Sequence, residues 1–250
     1  TWSVSSVTLS KPKGWYAGTF YENKYYIFGG YNDASTDENF DTIEVYDPVT
    51  DSVTTLDTHL PRHMRGMTSV VVGDKAYIIG GYDSAESDAT LKYLNEIYSF
   101  DFSTSILTKL DISMKKRRYF SNAVAIDDDN ILIVGGDNAT ENANNEKSSE
   151  IFTISTLSSA NGPTLTQYDN GINGTILTKN GENIYAIGGD SHGTKQSSIY
   201  KLSNDLSKWE LYDNLPYTLA YATHVNSDSL YILGGYMNSE YYSGEVVKVD

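Results

Sequence analysis

The stretch KAYIIGGYD, residues 75–83, ends an apolar run with two adjacent glycines. A glycine pair weakens a strand and offers no side chain for packing, so its presence needs a reason. The same device recurs in YYIFGG (25–30), ILIVGG (131–136), IYAIGG (184–189) and LYILGG (230–235). The first glycines stand at 29, 80, 135, 188 and 234. This period of about 50 residues predicts a repeat architecture that fills the chain.

Each repeat divides into four short segments that are rich in β-branched and aromatic residues. In the second repeat these segments are 66–72, 76–81, 95–101 and 106–111, here called strands a, b, c and d. Turn-forming residues connect them, and helix-period segments are absent. The continuous apolar run of strand b predicts burial on both faces. The sequence therefore predicts an all-β fold made of repeated four-stranded units.

The two ends of the chain complement one another. The last repeat stops at Val249-Asp250, at the end of its strand c, whereas TWSVSSVTL (1–9) has the pattern of a strand d. We expect the N-terminal strand to pair with the C-terminal strands in one unit, which would close a ring and protect two sheet edges.

These features resemble the kelch β-propeller family. The resemblance rests on the five GG pairs with their apolar runs, the period, and basic residues before strand a in RHMRGM (62–67) and KKRRYF (115–120). It implies one domain, 1–250, built as a propeller of five four-stranded blades, although familiar kelch rings mostly have six or seven. The aromatic residue typical of strand c is assigned to Tyr46 and Phe100, with Ile154 replacing it in the third repeat.

Composition limits the classes of partner. The formal net charge of −15 argues against nucleic acid and against an anionic membrane surface, because both require a basic face. No run of 18 apolar residues is present, so membrane insertion is not expected. The chain has no cysteine, which excludes disulfides and thiolate metal sites and indicates no compartment. Oligomeric state is left open.

The loops between strands b and c are long and variable, which is where function usually lies on a rigid scaffold. Tyrosine or aspartate directly follows each GG pair, and we expect these side chains to surround the channel mouth, where they would bind a sugar or a peptide. The alternative is that they end strand b and pack between blades. The residues are Tyr31, Tyr82, Asp137, Asp190 and Tyr236.

The connections from strand d to the next strand a bring cations to the same face. One carries Arg62, His63 and Arg65, and the next carries 115–118. We interpret Arg65 and Arg118 as equivalent and able to clamp a carboxylate. In proteins that resemble this one, such arginines bind acidic peptides or sugar acids. The alternative is pairing with nearby acids, for example Asp83.

No catalytic, metal-binding or cofactor motif is found, so we predict no catalytic residue, metal or cofactor. The predicted function is a non-catalytic scaffold that presents its loop face to a protein or peptide. Two alternatives involve carbohydrates. Some kelch-like proteins are sialate mutarotases, and Arg65, Arg118 and a loop acid would serve such an enzyme. The other alternative is a lectin-like binder of a sugar or sugar acid. A kelch-like copper oxidase is excluded because it requires cysteine.

Overall fold

The computed structural model describes residues 5–32, 38–138, 146–226, 229–237, 242–244 and 246–249. The described residues form five antiparallel sheets and contain no helix, so none of their elements is a membrane-spanning helix. The sheets are arranged in a ring as a five-bladed propeller. This confirms the predicted fold class and number of blades.

The strands follow the repeats in chain order. Blade 1 contains β1 (Ala17–Tyr21), β2 (Lys24–Phe28), β3 (Tyr31–Asn32), β4 (Glu38–Asp47) and β5 (Ser52–Met64). Blade 2 contains β6 (Thr68–Val72), β7 (Lys75–Ile79), β8 (Glu96–Asp101) and β9 (Ile106–Ser113). Blade 3 contains β10 (Asn122–Ala125), β11 (Asn130–Val134), β12 (Ser149–Thr153) and β13 (Ser158–Asn161). Blade 4 contains β14 (Ile176–Asn180), β15 (Asn183–Ile187), β16 (Asp190–Ser191), β17 (Thr194–Leu202) and β18 (Trp209–Leu219). Blade 5 contains β19 (Thr223–Asn226), β20 (Leu230–Leu233) and β21 (Val246–Val249).

The hydrophobic core lies between neighbouring blades. Phe28 of blade 1 belongs to the same buried cluster as Ile78 and Phe100 of blade 2. In β11, all four residues from Ile131 to Val134 are fully buried. This confirms that strand b is buried on both faces, since each blade covers the next.

The glycine pair is required by backbone geometry. Gly80 and Gly81 have φ of 66° and 109°, and the other four pairs have similar values. A Cβ on Gly80 would lie 2.5 Å from the carbonyl oxygen of Arg118. L-residues rarely adopt such φ values and no side chain fits this approach, so glycine occupies both positions.

Backbone hydrogen bonds join neighbouring blades at two positions. In blades 1 to 4, the second glycine of the pair donates to the residue that ends the next d-to-a connection, as Gly81 N–H does to the Arg118 carbonyl at 2.8 Å. A second series joins residues just before strand a, which we call the turn position: Trp15, Gly66, Phe120, Gly174 and Tyr221. Each of the last four donates its N–H to the carbonyl of the turn residue in the preceding blade.

Two blades contain a buried ion pair beneath this turn. Lys13 pairs with Glu44 in blade 1, and Arg118 pairs with Glu150 at 3.0 Å in blade 3. Beneath the turn of blade 2, the corresponding side chains are Met64, at the end of β5 in blade 1, and Tyr98 of β8, which belong to a hydrophobic cluster.

The expected ring closure uses an N-terminal strand at 1–9, of which residues 1–4 lie outside the described residues, as does residue 250. Residues 5–9 form no strand, and the described sheet of blade 5 contains β19, β20 and β21. Residues 5–10 run alongside blade 1. The Ser5 hydroxyl donates to Asp51, and the Ser10 N–H donates to Glu44. The second contact matches the one between Lys115 N–H and Glu150 in blade 3.

The strand c aromatic in blade 3 differs from the one assigned from sequence. Phe152 pairs with Ile131 and is fully buried, in the register that Tyr46 occupies in blade 1. The assignment of Ile154 to this position was wrong because β12 ends at Thr153.

Candidate binding site at the channel mouth

Residues after the GG pairs converge on residues before strand a. In every blade the two form an antiparallel bridge, as Arg65 does with Tyr82. The bridges place all five predicted Tyr and Asp residues at one end of the blades. The pairs are Gly14 with Tyr31, Arg65 with Tyr82, Tyr119 with Asp137, Asn173 with Asp190, and Ala220 with Tyr236.

Arg65 lies among aromatic rings. Its guanidinium carbon is 4.1 Å from the centroid of Tyr31, 4.9 Å from Tyr82 and 5.3 Å from Trp15. The contacts have cation–π geometry. Burial raises the pKa of the Tyr119 hydroxyl, and the neighbouring Arg65 partly opposes that rise. Arg65 therefore holds tyrosines from several blades together at the mouth.

Three aromatic residues occupy the turn position with left-handed backbone. The φ values are 51° at Trp15, 56° at Phe120 and 56° at Tyr221. Bulky residues rarely adopt this conformation, and such strain concentrates at functional sites. The Phe120 ring makes edge contacts with Trp15 at 5.5 Å and Tyr221 at 5.3 Å. We call Trp15, Phe120 and Tyr221 the aromatic trio.

A cavity of about 350 Å³ opens beside the trio, and we call it the mouth pocket. Its wall contains one ion pair, in which Lys195 Nζ lies 3.0 Å from Asp190 Oδ2. The Lys195 ammonium also lies 4.7 Å from the ring centroid of Tyr236. The pocket is lined by Trp15, Phe120, Asp190, Lys195, Tyr221, Tyr236 and Tyr242.

Two further polar groups are fixed near the pocket. The Tyr221 hydroxyl donates to Asn173 Oδ1 at 2.6 Å, which orients the tyrosine ring. Burial raises the pKa of the Asp137 carboxyl above its usual range. The mouth thus combines aromatic surface with a few polar groups held in defined positions, as ligand sites generally do.

Arg118 does not reach the mouth. Its side chain is fully buried, and its guanidinium donates to Glu150, to the Gly135 and Ser148 carbonyls and to the Ser148 hydroxyl. The proposed equivalence of Arg65 and Arg118 was wrong by one residue. Because Tyr119 forms the bridge with Asp137, Tyr119 is the residue that corresponds to Arg65. The expected clamp of two arginines is therefore not formed.

Some of the other basic residues of these connections lie close to acids, as the alternative interpretation held, whereas Arg117 donates to the Tyr93 carbonyl. Arg62 lies 3.6 Å from Asp83 and 3.5 Å from Glu96. The predicted binding residue His63 lies 3.7 Å from an Asp41 carboxylate oxygen. The Arg62 guanidinium is thus partly neutralised by Asp83 and Glu96.

Among the described residues, no three or more His, Asp or Glu side chains lie close enough together to hold a metal ion. The polar groups of the mouth are suited to hydrogen bonding and to contacts with rings.

Sequence reasoning missed the aromatic trio and Lys195. The trio has a sequence signal, because the bridge residue and the turn residue that follows it read GW (14–15), RG (65–66), YF (119–120), NG (173–174) and AY (220–221). Aromatic residues alternate with glycine in the second place. Aligning the repeats by their basic residues shifted this position and concealed the pattern.

Comparisons with known proteins agree with the fold. The family model described as "KLHDC2/KLHL20/DRC7 Kelch-repeats domain" matches residues 1–160. The solved structure named "Structure of YjhT" superposes with a TM-score of 0.86 and 18% identity, over 99% of this chain and 84% of that one.

Curated relatives match a smaller part of the chain. N-acetylneuraminate epimerase of Escherichia coli O139:H28 is 25% identical over 123 residues, which are 48% of this chain and 33% of the relative. The protein of the same name from Shigella boydii serotype 4 matches to the same extent. The match thus spans about a third of the length of these relatives.

Proposed function

The chain belongs to the kelch-repeat family, and on that premise we propose that it is a non-catalytic scaffold that binds a protein or peptide at the channel mouth. The supporting observation is the exposed aromatic surface beside Arg65. Trp15 is 50% exposed and Tyr221 41%, although both are large aromatic residues. Tryptophan, tyrosine and arginine are the residues most enriched in the energetic centres of protein interfaces.

The backbone makes this surface rigid. Tyr221 is held by its N–H bond to the Gly174 carbonyl and by its hydroxyl bond to Asn173. Trp15 stacks on Tyr31, with centroids 4.9 Å apart and planes within 7°. Preorganised aromatic side chains lose little conformational entropy when a partner binds, which favours affinity.

A random peptide library selected on the purified protein tests this proposal. We expect enriched peptides whose dissociation constants rise at least tenfold in Tyr221→Gly, a change that suits the left-handed backbone. Phe20→Ala is the matched control, because Phe20 is an exposed aromatic near the other end of β1, 59% exposed. Peptides that lose affinity equally in both variants would contradict binding at the mouth.

A carbohydrate-binding or carbohydrate-active role is the second candidate. It is favoured by the concave mouth pocket, where the Asp190–Lys195 pair places an acceptor beside a donor, and by relatives named N-acetylneuraminate epimerase. Of the two arginines that a mutarotase site was expected to use, Arg118 is buried and only Arg65 lies at the mouth. Calorimetric titration with N-acetylneuraminate and a glycan array tests binding. NMR measurement of the rate at which N-acetylneuraminate anomers interconvert tests catalysis.

A further inference from the structure

The mouth pocket is electrically balanced. Its acid and its base neutralise one another, since Asp190 and Lys195 are paired and their side chains are only 11% and 10% exposed. The Gly193 N–H also donates to Asp190 Oδ1 at 2.6 Å. A charged group that entered the pocket would compete with this pair and lose its own hydration, which is unfavourable.

The walls of the pocket are flat and aromatic. Phe120 meets both Trp15 and Tyr221 edge to face, with interplanar angles of 90° and 69°. Tyr31 covers one face of Trp15, yet half of the Trp15 surface is exposed. Another ring can therefore stack on Trp15 with the offset that aromatic pairs prefer.

The size of the pocket also restricts its occupant. A volume of about 350 Å³ is near the lower end for ligand sites, so it suits one large side chain rather than a folded segment. Tyr236 and the more exposed Tyr242 form its outer side, with ring centroids 5.4 Å apart. They extend the aromatic surface towards the main chain of a bound peptide.

We propose that the mouth pocket accepts a single uncharged aromatic side chain of the partner, that is, a Trp, Tyr or Phe anchor stacked on Trp15. This assignment rests on the proposed binding of a protein or peptide. It specifies that the side chain entering the pocket is an uncharged aromatic one, and that charged residues of the partner bind outside the pocket.

The experiment uses small probes on the intact protein. N-acetyl-tryptophanamide, N-acetyl-tyrosinamide, N-acetyl-lysinamide, N-acetyl-glutamic acid amide and N-acetylneuraminate are titrated while the indole N–H signal of Trp15 is followed by NMR. We expect the two aromatic amides to shift this signal with dissociation constants at least tenfold below those of the charged probes. The shift should be lost in Tyr221→Gly and retained in Phe20→Ala. Equal or tighter binding of a charged amide, or a response to N-acetylneuraminate alone, would overturn the assignment.

Library-selected peptides separate this inference from the function on which it rests. Peptides that bind the mouth and tolerate replacement of every aromatic residue by alanine would overturn the anchor assignment but leave partner binding intact. Failure to select any peptide would overturn partner binding and the anchor assignment together. Both proposals would be supported by a peptide whose affinity falls at least tenfold when one of its aromatic residues is replaced by alanine. This loss should occur with the protein that contains Trp15 and should not occur with a variant that lacks it.

Discussion

Blades 2 and 3 have the same backbone at the channel mouth but different side chains. In both, the residue that ends the incoming connection accepts a 2.8 Å bond from the preceding GG pair, Met64 in one blade and Arg118 in the other. The turn position has φ of 61° at Gly66 and 56° at Phe120. The backbone amides and carbonyls thus hold the ring together, which leaves the side chains at these positions available for other roles.

Below the turn, the buried side chains are apolar in blade 2 and form an ion pair in blade 3. Met64 and Tyr98 pack in blade 2 where Arg118 and Glu150 pair in blade 3. At the surface, the two turn residues differ in size. Gly66 in blade 2 has no side chain and leaves room for the Tyr119 ring, whereas Phe120 in blade 3 contacts neighbouring aromatic rings. Four experiments examine this comparison, from the largest expected effect to the smallest.

Breaking the buried ion pair of blade 3 has the largest expected effect on stability. Arg118→Met alone should lower the free energy of unfolding by about 3–5 kcal/mol, because it leaves the buried Glu150 without its cation. Arg118→Met with Glu150→Tyr should recover at least half of that loss. Urea denaturation measures both. A double variant no more stable than the single one would show that the two interiors are not interchangeable.

Filling the space at Gly66 comes next. In Gly66→Ala the new Cβ would lie 2.1 Å from Tyr119 Cε2, on a backbone with φ of 61°. We expect a loss of about 1–3 kcal/mol in the free energy of unfolding. Gly73→Ala is the control, since its φ is 60° and no atom lies within 4 Å of the added Cβ. Equal losses in the two variants would mean that the Tyr119 ring yields without cost.

Strain at the aromatic trio predicts an unusual order of stability. Phe120→Gly should be more stable than Phe120→Ala by about 1 kcal/mol, because only the alanine retains a Cβ on left-handed backbone. At Val124, within β10, the usual order with alanine above glycine is expected. Thermal unfolding of the four variants provides the measurement, and the same order at both positions would argue against strain at Phe120.

The smallest effect concerns the residue after the GG pair, Tyr82 in blade 2 and Asp137 in blade 3. Burial raises the pKa of Asp137, so the folded state binds this proton more tightly than the unfolded state. Its contribution to stability is complete below the unfolded pKa of about 3.9 and is lost as pH rises through the folded value. Asp137→Asn should therefore raise the free energy of unfolding more at pH 7 than at pH 4. A gain that does not depend on pH would exclude this cause.

The repeat period and the apolar runs were sufficient to predict the blades. The segment 95–101 was predicted as a strand and β8 spans Glu96–Asp101, because its β-branched and aromatic residues favour a strand and turn-forming residues follow it. The bridges place Tyr82 and Asp190 at the same end of their blades, and their role in binding stays a prediction.

The contents of the mouth were harder to predict, because the connections differ in length. Aligning two basic residues placed Arg118 beside Arg65, whereas the backbone bonds align Arg118 with Met64. A shift of one residue exchanges the fully buried Arg118 side chain for the half-buried Tyr119 side chain at the mouth. Lys195 was missed because the loop 190–197 was not recognised as a hairpin, although that hairpin makes Lys195 the cross-strand partner of Asp190.

The backbone bonds between blades have a mechanical consequence. Four junctions have the bond between turn residues and the bond from a GG pair, whereas neither bond joins blades 5 and 1 among the described residues. At that junction, the one described atom within 4 Å of a Cβ on Gly234 is the Ser243 carbonyl oxygen at 3.8 Å, which belongs to the same blade. Among the described residues, the junction of blades 5 and 1 therefore has fewer backbone hydrogen bonds than the other four junctions. We expect this junction, beside the mouth pocket, to separate first on heating, and a partner that contacts both Trp15 and Tyr221 would bridge it.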